Sequence, residues 1–393
     1  LINTTASNQS KQITLLQNYQ KGDFLLASPK QMILGKGVFA NVHMLNSHGI
    51  IEQMKQSLNQ AKLTGHARPI VMGAIPFDFS ESPKLVIPKE ISTAAPLEVK
   101  KQVEWRKASS STFEIKAVPD PEVYMEGVRK GLKAIDTDHI QKIVLSRSLH
   151  ITSAERIDTH QLLKNLAYSN KTGYTFAVDV SLNEQKDTEP RTLIGASPEL
   201  LVSKTGQKIV ANPLAGSRPR CKDPLEDEQQ AKELLESAKD LHEHAVVVDA
   251  VKKSLQEYCL ELHVPTTPSI IKTEAMWHLS TEINGILKDP HVTSIELAMA
   301  LHPTPAICGF PTEAARNTIQ EIEPFDRGFF TGMVGWCDEA GDGEWIVTIR
   351  CAEICGRNLQ LFAGAGIVTG SKPEDELAET AAKFGTMLQG LGI

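Results

Sequence analysis

Phe329-Phe-Thr-Gly-Met-Val-Gly-Trp-Cys337, Glu344-Trp-Ile-Val-Thr-Ile-Arg-Cys-Ala-Glu-Ile354 and Leu359-Gln-Leu-Phe-Ala-Gly-Ala-Gly-Ile-Val368 are three successive strand-like runs. Gly341-Asp342-Gly343 and Gly356-Arg357-Asn358 separate them and supply turn residues that tolerate positive φ. Upstream, Ile143, Leu145, Leu149 and Ile151 alternate with Lys142, Ser146, Ser148 and His150, a strand with one apolar and one polar face. More strands are expected at Tyr174–Val180, Thr192–Ala196, Leu200–Val202 and Lys208–Ala211, the last two hinged on Thr205-Gly206. Helical periodicity is confined to a few segments: near Ile51–Leu63, from Pro121 through Ile135, from Glu226 to about Tyr258, and from Pro373. In the longest of these, Ala231, Leu234, Ala238, Leu241, Ala245, Val248, Val251 and Leu255 mark a buried stripe. In the last, Leu377, Ala381, Phe384, Leu388 and Leu391 do the same. Many hairpin-type strands with few helices indicate an α+β fold and not a βαβ array.

The 393 residues carry 41 Lys+Arg against 48 Asp+Glu, a net charge of −7 without an acidic tail. No basic face is concentrated enough to suggest a nucleic-acid partner. The apolar runs are too short for a helical membrane span. The sequence opens at Leu1 without a charged-then-apolar leader, so a cytoplasmic location is expected. Cysteines at 221, 259, 308, 337, 351 and 355 lack metal or redox spacing and read as free thiols. His242-Glu243-His244 is too closely spaced for a zincin pair. There is no internal repeat. A polar stretch, Lys107 to Thr112, precedes the strongly patterned region, but no long linker divides the chain. One large domain, 1–393, is therefore expected, with 1–110 completing a fold whose chemistry lies in 121–393.

Asp240 with Glu243, and Glu376 with Glu379, sit at i, i+3 on two helices. Each pair alone is explained by solvation; convergence of all four would demand a cation, and an all-oxygen set suits Mg²⁺. Glu199 follows Ser197-Pro198 at a strand-to-strand bend, and Lys142 lies on a polar strand face, places where charged residues are ordinarily solvated. Ala215-Gly216-Ser217 and Ala363-Gly364-Ala365-Gly366 lack a GxGxxG or Walker context but would let backbone N–H groups approach an anion.

These pieces occur in a fixed order. Lys142-Ile-Val-Leu-Ser-Arg147, Gly195-Ala-Ser-Pro-Glu199, Pro213-Leu-Ala-Gly-Ser217, Lys239-Asp-Leu-His-Glu-His244 and His302-Pro-Thr-Pro-Ala306 come first. Gly335-Trp336, Thr348-Ile-Arg350, Phe362-Ala-Gly-Ala-Gly366 and Glu376-x-x-Glu379-Thr380 follow. From about Pro121 to the C-terminus the chain resembles the chorismate-utilising enzymes, and within them the isochorismate synthases of 2,3-dihydroxybenzoate siderophore pathways. The resemblance implies a large, mainly antiparallel β-sandwich with flanking helices. It implies Lys142 as the general base that activates water and Glu199 as the general acid for the departing hydroxyl of chorismate. Such a base must be neutral near pH 7, below its usual value of about 10.4, and the acid must keep its proton above about 4.3.

By the same resemblance, Glu243 and Glu379 bind Mg²⁺ with Asp240 and Glu376 in support. Arg350 clamps the enolpyruvyl carboxylate, Lys383 lies close by, Gly216, Ser217, Gly364 and Gly366 cradle the anion, and His278 lines the ring pocket. Lysine at 142 favours water as nucleophile, and Ala215 replaces the nucleophilic lysine of aminodeoxychorismate synthases. A monomer without a glutaminase subunit is implied, with an isochorismatase as a downstream partner. Salicylate synthases, menaquinone-pathway isochorismate synthases and a non-catalytic chorismate- or metal-binding protein are the alternatives.

Overall fold

Alternation along the strands builds the layers. In the computed structural model, which describes residues 12–42, 49–78, 82–98, 112–137, 139–181 and 189–393, adjacent strand residues face different cores. Leu25 and Leu26, Ala177 and Phe176, Ile194 and Leu193, and Trp345 and Ile346 each divide between two hydrophobic clusters.

The strands form one long curled antiparallel ladder. It starts with Phe113–Val118 and runs through Lys142–Ser153, Asn358–Ile367, Cys351–Cys355, Arg191–Ser197, Tyr174–Asp179, Phe24–Ala27 and Met32–Asn41. Met32–Asn41 then pairs with Lys84–Ala94 through a register shift between Val38 and Ala40. A second half follows: Ile70–Ile75, Met333–Asp338, Gly343–Val347, Leu200–Thr205, Lys208–Asn212, Ile283–Leu287 and Cys259–His263.

The two halves share an aromatic interior that includes Phe176, Phe329, Phe330 and Phe362. Helices Thr159–Ser169 and Pro373–Leu391 cover the first half with Leu162, Leu166, Phe384 and Met387. Helices Ile50–Leu63, Ala238–Gln256 and Ser294–Leu301 cover the second with Met54, Leu58, Val247, Val251, Leu255 and Leu297. The result is the α+β sandwich that was expected, layered helix, sheet, sheet, helix.

Three local readings change. The long helix is two: Pro224–Glu236 and Ala238–Gln256 are divided at Ser237, which is extended and caps the second through its side chain, accepting from Asp240 N. The strand read over Glu344–Ile354 is also two, Gly343–Val347 and Cys351–Cys355, interrupted before Arg350 at φ +50°. A separate sheet of Leu214–Pro219, Met276–Ser280 and Ser269–Lys272 has no alternation that announced it. Of the polar stretch Lys107–Thr112, only Thr112 is among the described residues. No helix among the described residues is long and apolar enough to cross a membrane.

Candidate active site

The site lies where the chain crosses twice between the two halves. Pro198-Glu199 leads from Arg191–Ser197 to Leu200–Thr205, and Thr348–Arg350 leads back from Gly343–Val347 to Cys351–Cys355. Ala196 N donates to Arg350 O at 3.0 Å and Val347 N to Glu199 O at 3.2 Å, so the crossings lie side by side. Both ladders are interrupted here, and Glu199 and Arg350 line a single cleft.

The cleft also gathers Gly216, Ser217, Glu243, His278, Gly364, Gly366, Glu379 and Lys383. Gly216 needs its φ of +77° on a strand crowded by Asp240. Gly366 is required for space: a Cβ there would meet Glu243 Oε1 at 2.1 Å and Lys142 Cε at 3.0 Å. Apolar walls come from Val144, Ala306, Ile307, Phe330 and Phe362, residues that the motifs did not single out as contacts. Their strand and loop hydrophobicity is indistinguishable from that of core residues.

Lys142 is 0% exposed, against the ordinary expectation for a lysine on a polar strand face. The whole polar face near it is internal, since Ser146 and Ser148 are buried too. Lys142 Nζ lies 3.0 Å from Glu243 Oε1. Glu199 is buried, and burial pushes its carboxyl up to about 7 although Leu214 N–H, Lys142, Arg350 and Lys383 pull the other way. Arg350 is lowered to about 10, mainly by burial. It donates from Nη2 to His278 Nε2 at 3.3 Å, which requires a neutral imidazole there. Burial, then Arg350 and Lys383, hold His278 well below its ordinary value.

Of the four helix acids, Glu243 and Glu379 line the cleft while Asp240 and Glu376 do not, and each of the four lies beside a base. Glu379 accepts from Lys383 and from Ser217 Oγ, the latter at 3.0 Å; burial would raise it, but Lys383 and Lys239 outweigh that and lower it. Glu376 is fully buried, accepts from Lys239 Nζ at 2.7 Å and is raised to about 7 by burial and by Glu379. Asp240 faces Arg218 at 3.7 Å and is raised by burial. Among the described residues no group of three or more His, Cys, Asp or Glu side chains is arranged to hold a metal ion. The donors nevertheless suit a hard cation in kind: all are carboxylates, two of them raised by burial, and one buried oxygen, Glu376 Oε2, makes no hydrogen bond.

The buried stripes of both acid-bearing helices differ from the expected ones. Ala238–Gln256 buries Asp240, Glu243, His244, Val247, Val251 and Leu255, while Ala245 is exposed. Pro373–Leu391 buries Glu376, Thr380, Phe384, Met387, Gly390 and Leu391, while Ala381 is exposed. Polar residues occupy the inward face of the first turns, so hydrophobicity misplaces the stripe. Lys239, paired with Glu376, and Arg218 were likewise not singled out from sequence.

Residues 80–392 match the family described as chorismate binding enzyme. The chain is 55% identical over 398 residues to isochorismate synthase DhbC of Bacillus subtilis (strain 168), covering 100% of this chain and 99% of that protein. It is 44% identical over 374 residues to the vibriobactin-specific isochorismate synthase of Vibrio cholerae, covering 95% and 92%. A Bacillus anthracis crystal structure, assigned as a 2,3-dihydroxybenzoate-specific isochorismate synthase, DhbC, superposes with a TM-score of 0.92 at 53% identity over 97% of this chain and 99% of that one.

Proposed function

The chain belongs to the chorismate-binding enzymes, and from that premise we propose that it is an isochorismate synthase serving 2,3-dihydroxybenzoate siderophore synthesis. The observation that carries the chemistry is Glu199, a buried carboxyl raised to about 7 in the cleft that Arg350 and Lys383 make positive. Such a group can hold a proton for a leaving hydroxyl near neutral pH.

In the proposed reaction Lys142 takes a proton from water as the water oxygen bonds to C2 of chorismate. The ring double bonds shift, the C4–O bond breaks, and Glu199 supplies the proton with which hydroxide leaves as water. Arg350 and Lys383 oppose the substrate's carboxylates, and Arg350's fork suits bidentate pairing. The N–H groups around Gly216 and Gly364 add donors without side-chain bulk. Glu243 and Glu379 would hold Mg²⁺, with Asp240 and Glu376 behind them. When bound, the metal supplies positive charge to a ring carboxylate that these acids would otherwise repel. Water as nucleophile removes the need for a glutaminase subunit.

The test is purified protein with chorismate and Mg²⁺, followed by separation of products. Isochorismate is the expected product. Salicylate and pyruvate alone would move the reading to a lyase, and no turnover despite metal binding would end it.

A further inference from the structure

Lys142–Ser153 has an incomplete edge. Opposite the unbroken pairing with Asn358–Ile367, Gly309 and Phe310 pair only with Ile143 and Lys142, and Phe113–Val118 begins only at Ser148. Between these two partners no strand lies among the described residues. Val144 N still finds Cys308 O at 2.8 Å, but Val144 O and Ser146 N turn to side chains. Arg327 Nη2 donates to Val144 O at 2.8 Å, and Ser146 N donates to Glu323 Oε1 at 2.7 Å.

Those two side chains are a buried ion pair, each 3% exposed. Arg327 Nε donates to Glu323 Oε2 at 2.8 Å and Nη2 to Oε1 at 2.6 Å, a two-pronged contact. Nη1 donates to Ile307 O at 2.7 Å and to Thr331 Oγ1 at 3.3 Å. All five N–H groups of the guanidinium thus have acceptors, while Phe77 lies 4.7 Å from its centre. The addressees are not scattered. Val144, Ile307 and Thr331 all line the cleft, and Lys142 is two residues from Val144.

We propose that Glu323 and Arg327 are positioning residues that stand in for the missing strand and fix the wall containing Lys142, Val144, Ile307 and Thr331. An apolar pair of equal volume could fill the same space, yet it would leave one amide and two carbonyls buried without partners. Lysine keeps the charge but, as a point donor, cannot serve Glu323, Val144 and Ile307 together. The effect on turnover rests on the function proposed above; the effect on the backbone does not.

Two measurements on Arg327→Lys separate these. Turnover of chorismate should show kcat reduced about 10²-fold with KM within about threefold, since misplacement damages the reacting geometry more than binding. Amide hydrogen exchange should accelerate by at least about tenfold in 142–148 and 304–309 while 343–354 keeps its protection. If Arg327→Lys does not fold, Glu323→Gln, which retains an acceptor for Ser146 N, takes its place. An unchanged kcat, or exchange rising equally in every segment, overturns the proposal. If the wild type makes no isochorismate, the proposed function fails by itself and the exchange comparison alone decides the inference.

Discussion

Helices Ile50–Leu63 and Ala238–Gln256 pack into the same hydrophobic cluster, yet they bury different chemistry. The first buries Ile50, Met54, Leu58 and Ala61, an unbroken apolar stripe. The second buries Asp240, Glu243 and His244 before continuing with Val247, Val251 and Leu255. Pro373–Leu391 repeats the second pattern, with Glu376 and Thr380 ahead of Phe384 and Met387. Both of these helices are scaffold at their C-terminal ends and site at their N-terminal ends. The positive end of the helix dipole there favours the first-turn carboxylates Asp240 and Glu376. A helix that breaks the amphipathic rule for its first two turns is paying in stability for function.

The largest expected effect breaks the site side of this comparison. Lys142→Ala and Glu199→Gln should each lower kcat by ~10²–10⁴-fold, measured on folded protein, because each removes one proton transfer. Full activity in either variant would reverse the roles assigned to them. On the scaffold side, Leu58→Ala should lower stability by about 2–5 kcal/mol in denaturant unfolding. Its kcat should stay at the wild-type value below the transition, since Leu58 is not among the residues that line the cleft.

A pH series sharpens the contrast. Burial raises Glu199 from 4.5 to about 7, so the folded chain prefers it protonated. Its favourable contribution is complete below about 4.5 and is lost as the pH rises through about 7. Glu199→Gln should therefore raise stability at pH 8 by roughly 2–3 kcal/mol and give no gain at pH 4. A variant that loses turnover while gaining stability would mark Glu199 as a group held against its preference. The smallest effect concerns the acids behind the proposed ligands. Asp240→Asn and Glu376→Gln should weaken Mg²⁺ binding by about 10–100-fold in titration calorimetry, and Glu379→Gln by more. Equal losses in all three would erase the distinction between ligand and support.

Much of the fold was legible because its causes are local. The turn at Thr205-Gly206 is present with Gly206 at φ +58°. Helices beginning at Pro121 and Pro373 open with proline in the first turn, where its missing N–H costs nothing. Less legible were features in which a polar residue does the work of an apolar one. Ser237 divides the longest helix by capping, Arg350 at φ +50° sits in the break between two strands, and Lys142 disappears inside from a face that alternation marks as polar. Glu323 and Arg327 complete a sheet edge without being a strand.

The sequence by itself determined the alternation of the strands, the positions of the turns, the α+β class and the ordered set of charged and glycine residues. Spacing along one strand or one helix dictates these. Only the tertiary structure decided that the two crossings between half-sheets lie side by side, bringing Glu199 to Arg350, and that Glu243 and Glu379 from two helices line one cleft. Convergence of residues more than a hundred positions apart depends on how distant surfaces pack. The protonation of each group then depends on how much water that packing removes.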